Sequence, residues 1–395
     1  MTAPGPAASP IPPPAGDRGA AEPALAEEFI LLGPAGSFPF EAAAIETELR
    51  AMWKSAASDG PTRGRAVYRA ALANLAVPLD GAEHARITPV LAEVTRRYPS
   101  RLFLIERQPD PGRAPLLARV TALCHLRSAG GGIVCSEQII LQSGRGGEAL
   151  LPSAIRSLLV GGLPFVLLDI GGEGSRAWAG DVQRDADLLL GDSALPGRLD
   201  RAAALWGAIA AGGTARVHDL AWARLTPWRE LIAEQFDDTA AAASLSTLEE
   251  VSIGHGASPE GPAPPALLLA GWLAARLGWR PERRDGDALL LRGGHGPLRL
   301  SWEADPDGAP LHVSRVRLRA GAPHELDLEI AHPRHELRAS LHARRPREER
   351  RFTAFRYRDF ATCLVSELHR HEPNPTLEAA AHLALDLLAT WRGAP

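Results

Sequence analysis

Lysine is almost missing: Lys54 is the only one, and every other basic residue is arginine. Two kinds of chemistry lose their central residue at once. A P-loop needs G-x-x-x-x-G-K-[ST] and Schiff-base catalysis needs a lysine; Lys54 sits in neither setting. Cysteine is scarce as well. Three in 395 residues give no disulfide framework, which fits a reducing compartment. No apolar run reaches the roughly 18–20 residues of a membrane span, and the first residues lack a basic-then-apolar leader pattern. The expectation is a cytoplasmic protein with no membrane partner. Excess positive charge is absent too, and a formal net charge of -4 argues against a nucleic-acid partner. There is no H-E-x-x-H and no C-x-x-C to hold a metal, and no G-x-S-x-G to present a nucleophile. Neither a metal nor a cofactor is expected.

The residues present describe a globular chain, 45% hydrophobic, long enough for more than one core. Residues 1–24 are rich in Pro, Ala and Gly with little to bury, and read as a disordered tail. Ser37 and Pro39 are expected to open a helix whose inner face holds Ile45, Leu49, Met52 and Trp53; Thr88-Pro89 are expected to open another. From Arg101 the pattern alternates strands and helices, which implies a Rossmann-like mixed α/β sheet with flanking helices over 25–240. The last third changes character. Leu298, Leu300 and Trp302 alternate with polar residues, as do Leu326, Leu328 and Ile330. Residues 241–395 therefore read as an α+β C-terminal domain, with antiparallel strands covered on one face and two closing helices.

Within the first region, LQSGRGGEALLPSAIRSLLVGGLPFVLLD runs from Leu141 to Asp169. Gly144, Gly146 and Ala149 fit G-x-G-x-x-A, and Asp169 follows twenty residues later. In a dinucleotide site such glycines let backbone approach a pyrophosphate at a helix N-terminus, while the acid holds the ribose. The setting argues against it, since the fingerprint normally follows the first strand of its domain and here a hairpin precedes it. Cys124 and Cys135 flank the SAGGG turn of that hairpin almost symmetrically. They read as a possible redox pair or, more simply, as two small buried residues. His332-x-x-His335 and His369-x-His371 have no metal-site spacing and read as surface histidines. Ala343–Phe360 holds seven arginines against three acids, either an anion contact or a solvated face. Asp185 and Asp187 read as ordinary loop acids.

Arg216–Phe236 is the richest stretch in tryptophan. Asp219-Leu220-Ala221-Trp222-Ala223-Arg224-Leu225, then Trp228-Arg229-Glu230 and Phe236-Asp237, resembles the signature of the OpcA family, the glucose-6-phosphate dehydrogenase assembly proteins of bacteria. Arg97-Tyr98-Pro99-Ser100-Arg101, Cys135-Ser136-Glu137-Gln138-Ile139, Asp192-Ser193 and Gly271-Trp272-Leu273-Ala274 through Leu277-Gly278-Trp279 agree in order. The resemblance covers about Ala66 to Trp279 and fades beyond. Leu163–Asp169 departs from it, lacking the paired tryptophans of the family segment; the nearest here is Trp178. The resemblance implies a protein without catalytic activity that binds glucose-6-phosphate dehydrogenase and raises its activity, supplying NADPH through the oxidative pentose phosphate route. Trp222, Arg224, Trp228 and Arg229 are then candidates for partner contact, these being residue types of interface hot spots. The plain alternative is that Trp228 packs in the core and the arginines form internal salt bridges. An enzyme using Gly144, Gly146 and Asp169 for a nucleotide or sugar nucleotide is the competing reading.

Overall fold

The computed structural model describes residues 30–393 apart from 34–35, 59–65, 80–83, 108–114, 127–131, 145, 171–181, 196–198, 213–215, 238, 259, 294–295, 309–311, 332–340, 345–350, 354–358 and 371. The tail expected over 1–24, Trp178, and the pair His332 and His335 lie outside the described residues, as does most of the arginine-rich segment 343–360.

Among the described residues the strands form two sheets, of ten and eight strands. The first contains β1 (Ile30–Leu32), β2 (Phe38–Pro39), β3 (Val67–Arg69), β4 (Ala73–Leu79), β5 (Ser100–Arg107), β6 (Leu116–Leu126), β7 (Ile133–Ser143), β8 (Phe165–Asp169), β9 (Leu188–Gly191) and β10 (Arg216–Asp219). Six of these run parallel in the order β7-β5-β4-β8-β9-β10. Renumbered along the chain, that is the 3-2-1-4-5-6 order of the doubly wound dinucleotide-binding fold. β6 runs antiparallel along the outer side of β7 and carries β1 and β2 at its far edge. Central β4, Ala-Asn-Leu-Ala-Val-Pro-Leu, is buried along its whole length, as a strand covered on both faces must be.

Helices cover both faces of this sheet. α1 (Ala42–Ser58) and α3 (Leu151–Leu158) bury Ile45, Leu49, Leu151 and Ile155 on one face. α2 (His84–Arg97) buries Leu91 and Val94 on the other. The first helix starts later than Ser37 suggests. Phe38 and Pro39 pair with β6 at the sheet edge, where a residue without an N–H is tolerated. Pro89 likewise lies inside α2 rather than at its opening, sacrificing one helical hydrogen bond.

A bridging group follows: α4 (Leu199–Ala211), α5 (Leu220–Arg224), α6 (Thr226–Glu234) and α7 (Thr239–Ser244). Then come β11 (Leu248–Gly256), α8 (Pro264–Leu277), β12 (Arg280–Asp285), β13 (Ala288–Gly293), β14 (Gly296–Asp305), β15 (Val313–Ala320), β16 (Leu326–Ala331), β17 (Leu341–Arg344) and β18 (Arg351–Thr353). This second sheet has the order β12-β13-β14-β11-β15-β16-β17-β18. It is antiparallel as the alternation predicts, except that β11 and β14 run parallel. Alternation reveals which face is buried but not which strand lies alongside.

α8 is apolar around its whole circumference, with every residue from Pro264 to Ala274 buried. Such a helix must be enclosed, and it packs against β11 of the second sheet and against the last helix, α10 (Pro375–Arg392), which also touches that sheet. The penultimate helix, α9 (Phe360–Leu368), turns back to the first sheet and packs with α2 and α5. Trp206, Trp222 and Trp228 share one core with α8, α10 and the inner face of the second sheet. The tryptophan-rich segment is thus the joint between the two sheets.

Candidate functional site

The stretches that carry the family resemblance meet in space as buried polar knots. In the first, Arg101 at the start of β5 gives Nε to Glu137 Oε2 at 2.8 Å and Nη1 to Leu158 O at 2.6 Å and Glu46 Oε1 at 2.9 Å. Glu137 on β7 also accepts from Trp53 Nε1 at 2.9 Å and Arg69 Nη2 at 3.0 Å. Ser100 N donates to Ser136 Oγ at 3.2 Å. A cavity of about 300 Å³ opens over this knot, lined by Arg69, Arg101, Glu137 and Leu163. It lies by the N-terminal ends of β4, β5 and β8, opposite the end where open α/β sheets hold ligands.

The second knot closes the other end. Asp219, the last residue of β10, caps α5 by accepting from Ala221 N at 2.9 Å; it also accepts from Ser193 N at 3.0 Å and Trp206 Nε1 at 3.1 Å. Arg224 pairs with Asp192. Burial, and then the charge of Asp192, push the Asp219 carboxyl up to about 6. Burial works to lower Arg224, but Asp192 outweighs it and the guanidinium is held charged, above its ordinary value. Beside this knot His218 Nδ1 lies 2.8 Å from Glu367 Oε2, with both side chains buried, so β10 is tied to α9.

The four candidate contact residues form one inward-facing unit. Trp222 and Trp228 are buried, and Arg224 serves Asp192. Arg229 stacks 3.4 Å above the Trp222 ring and donates to Trp222 O at 2.7 Å and Thr226 Oγ1 at 3.1 Å. Buried Trp228 and the Arg224–Asp192 ion pair are contacts of the plain alternative, whereas Arg229 stacks on a ring and bonds a carbonyl and a hydroxyl.

The glycine loop follows β7, third in the renumbered order, and leads into a 3-10 turn at Glu148–Leu150 and then α3. Two of its donors are in use: Gly144 N bonds Pro115 O at 3.0 Å, and Gly147 N bonds Gly144 O at 3.0 Å. Gly146 has φ +86°, and a Cβ on Gly147 would lie 1.9 Å from Pro115 O. Turn geometry and close packing therefore account for the last two glycines. Asp169 sits apart at the end of β8, where Arg201 Nη2 reaches its carboxylate at 3.3 Å. The acid near the end of the second renumbered strand, one residue before its last, is Glu106, bound by His84 and by Gln142 Nε2 at 3.0 Å. Burial would raise its carboxyl, but the His84 and Gln142 bonds hold it below the usual range.

Cys124 and Cys135 face one another in register across β6 and β7 and are joined as a disulfide, while Cys363 is buried and takes no part in it. That bond overturns the simpler reading, in which the two are unbonded buried residues. His369 packs edge-on against Tyr98 at 4.9 Å, and no group of three metal-binding side chains occurs among the described residues. Asp185 accepts from Arg156 Nη2 at 2.5 Å, and Asp187 accepts from Phe165 N at 2.8 Å. No described helix is long and apolar enough to cross a membrane. Arg101, Glu137, Asp192 and Asp219 all stand in the motifs of the resemblance, but nothing local revealed that they would pair.

Residues 215–381 match the family model for the C-terminal domain of a glucose-6-phosphate dehydrogenase subunit, OpcA. Among curated proteins the chain is similar to the "Putative OxPP cycle protein OpcA" of Nostoc punctiforme, with 28% identity over 226 residues, 54% of this chain and 47% of that one. The protein of that name from Synechococcus elongatus is 26% identical over 185 residues, 46% of this chain and 41% of that one. The chain thus spans about half the length of the curated relatives it matches. Among solved structures, a "putative oxidoreductase" from Parabacteroides merdae gives a TM-score of 0.46 at 10% identity, covering 84% of this chain and all 100% of that one. An oxidoreductase from Thermotoga maritima gives 0.39 at 11% identity, with 81% and 95% covered.

Proposed function

Because the chain is a divergent member of the OpcA family, we propose that it is a non-catalytic assembly factor and activator of glucose-6-phosphate dehydrogenase. It binds the dehydrogenase in the cytoplasm, helps it assemble and raises its turnover, so that the oxidative pentose phosphate pathway delivers NADPH. The observation that carries this reading is the family match over 215–381. In it, Trp222, Arg224, Trp228 and Arg229 serve the interface by holding rigid the joint on which it is built. The test is co-purification with the dehydrogenase of the same organism, followed by its activity and oligomeric state with and without this chain. A stable complex and a faster or more fully assembled dehydrogenase are expected; no complex and no change would overturn the reading.

One observation favours a second reading. The 3-2-1-4-5-6 strand order creates a switch point between β4 and β8, beside Asp169, where nucleotides bind in such sheets. Fold alone does not select a function. Thermal shift with NAD, NADP and nucleotide sugars decides it, and an unchanged melting temperature with all of them removes it.

A further inference from the structure

With the four tryptophan-segment residues turned inward, a partner needs another surface. α7 and the turn into β11, the C-terminal end of α8, and the β13–β14 hairpin enclose a groove of about 360 Å³. That is within the size of pockets that bury a ligand or an anchoring side chain. Half-buried Leu245, Leu248 and Leu277 supply apolar walls over a floor of buried Trp279 and Leu298, and Gly293 and Gly296 keep one side open. A Cβ on Gly293 would stand 3.1 Å from Trp279 Cδ1, and Gly296 has φ +142°, so neither position readily accepts a side chain. Arg276 is exposed at the edge and makes no hydrogen bond or ion pair with the described residues. Nearly every arginine of the knots above is saturated by carboxylates; this one is not. Next to it Arg280 and Arg292 are cross-strand partners, and Glu282 answers Arg292 at 3.2 Å. Arg276, Arg280 and Arg292 are thus three cations against Glu282 at this edge, while Glu249 stands exposed next to the lining Leu248. All of these residues fall inside the matched segment 215–381, and Leu277 and Trp279 belong to the resemblance motif.

We propose that this groove is the socket that docks glucose-6-phosphate dehydrogenase, taking an apolar side chain of leucine or phenylalanine size presented beside a carboxylate that pairs with Arg276. The inference rests on the activator reading above and names the surface through which it acts. An apolar groove over a tryptophan floor, edged by an unspent arginine, has the composition of a binding hot spot. An acidic partner segment answers the positive edge and supplies the ion pair that no described residue gives Arg276.

The experiment measures the affinity of the intact chain for the purified dehydrogenase of the same organism, using Arg276→Glu and Ala242→Trp. Ala242 is exposed on the groove wall, so a tryptophan there fills the socket without entering the core. Arg50→Glu, on the distant α1, is the charge control. Each groove variant is expected to melt as the unaltered chain does and to bind about tenfold more weakly or worse, with Arg50→Glu unchanged. Unaltered binding by both correctly melting variants overturns the socket while leaving the activator reading standing. Absence of binding by the unaltered chain overturns both. Should the variants change self-association in sedimentation while still binding the dehydrogenase normally, the groove joins copies of this chain and the proposal fails.

Discussion

Arg101 and Glu137, 36 residues apart in sequence, meet at 2.7 Å with each side chain about 96–97% withdrawn from solvent. Such a pair is costly to assemble and costlier to break, because removing one member strands the other charge. Glu137→Leu should destabilise the chain by about 3–5 kcal/mol. Arg69 can turn to water because it is half exposed; Arg101 cannot, and keeps only the partly exposed Glu46 and the carbonyl of Leu158, so the loss falls toward the lower end of that range. Combining Arg101→Met with Glu137→Leu should restore much of the loss. Urea unfolding of the two single variants and the double checks this, and additive losses in the double would show that the pair is not coupled.

Gly271 is the contact point between α8 and α10. A Cβ there would lie 2.3 Å from Ala380 O and 2.8 Å from Ala384 N, both backbone atoms that yield only if a helix moves. Gly271→Ala should therefore destabilise by about 1–3 kcal/mol, although alanine is the better helix former. A thermal melt settles the sign: a higher melting temperature would mean that the helices separate freely.

The disulfide can be tested without reference to function. Denatured under non-reducing conditions, the chain should titrate one thiol, that of Cys363, and three after reduction. Closing a loop of sequence separation 11 stabilises by about 2–3 kcal/mol in the chain-entropy account. Cys124→Ala with Cys135→Ala should lose up to that amount, and added reductant should then have no further effect. Three thiols before reduction would show the pair open.

Most secondary structure was legible in the sequence because its signals are local. The inner face of α1, with Ile45, Leu49 and Met52, and the alternation of Leu298, Leu300 and Trp302 rest on periodicity, which distant neighbours do not alter. What was hidden depends on partners far away in the chain. Arg101 and Glu137 stand in motifs of the resemblance, yet only the β5–β7 register brings them together. The same holds for Asp192 and Arg224. Trp222 and Trp228 have the composition of contact residues, and sequence could not separate an interface from a joint between two sheets, since both bury aromatics against arginine. The glycines of 144–147 match a fingerprint locally; the hairpin before them already argues against it, and the strand order shows that they follow the third parallel strand instead of the first.

Asp219 makes a prediction whose sign can be worked out. Its carboxyl is held at about 6 in the fold against an ordinary value of 3.8. Between those values the folded chain holds a proton that the unfolded chain has released, so this group's contribution to stability falls as pH rises. The contribution is fully present below about pH 4 and lost above about pH 6. The charged groups facing the site are Asp192 and Arg224, which remain paired with one another throughout. Asp219→Asn removes the titration and keeps the Oδ1 contacts to Ser193 N and Ala221 N, while setting a donor against Trp206 Nε1. The stability of the unaltered chain minus that of the variant should fall between pH 4 and 6, by at most about 1.4 kcal/mol per pH unit, and be flat from 6 to 8. Taking the difference cancels the other carboxylates, including Glu93 and Glu106, whose lowered values act in the opposite direction. Denaturant unfolding across that range measures it, and a difference independent of pH would mean that Asp219 stays ionised in the folded chain.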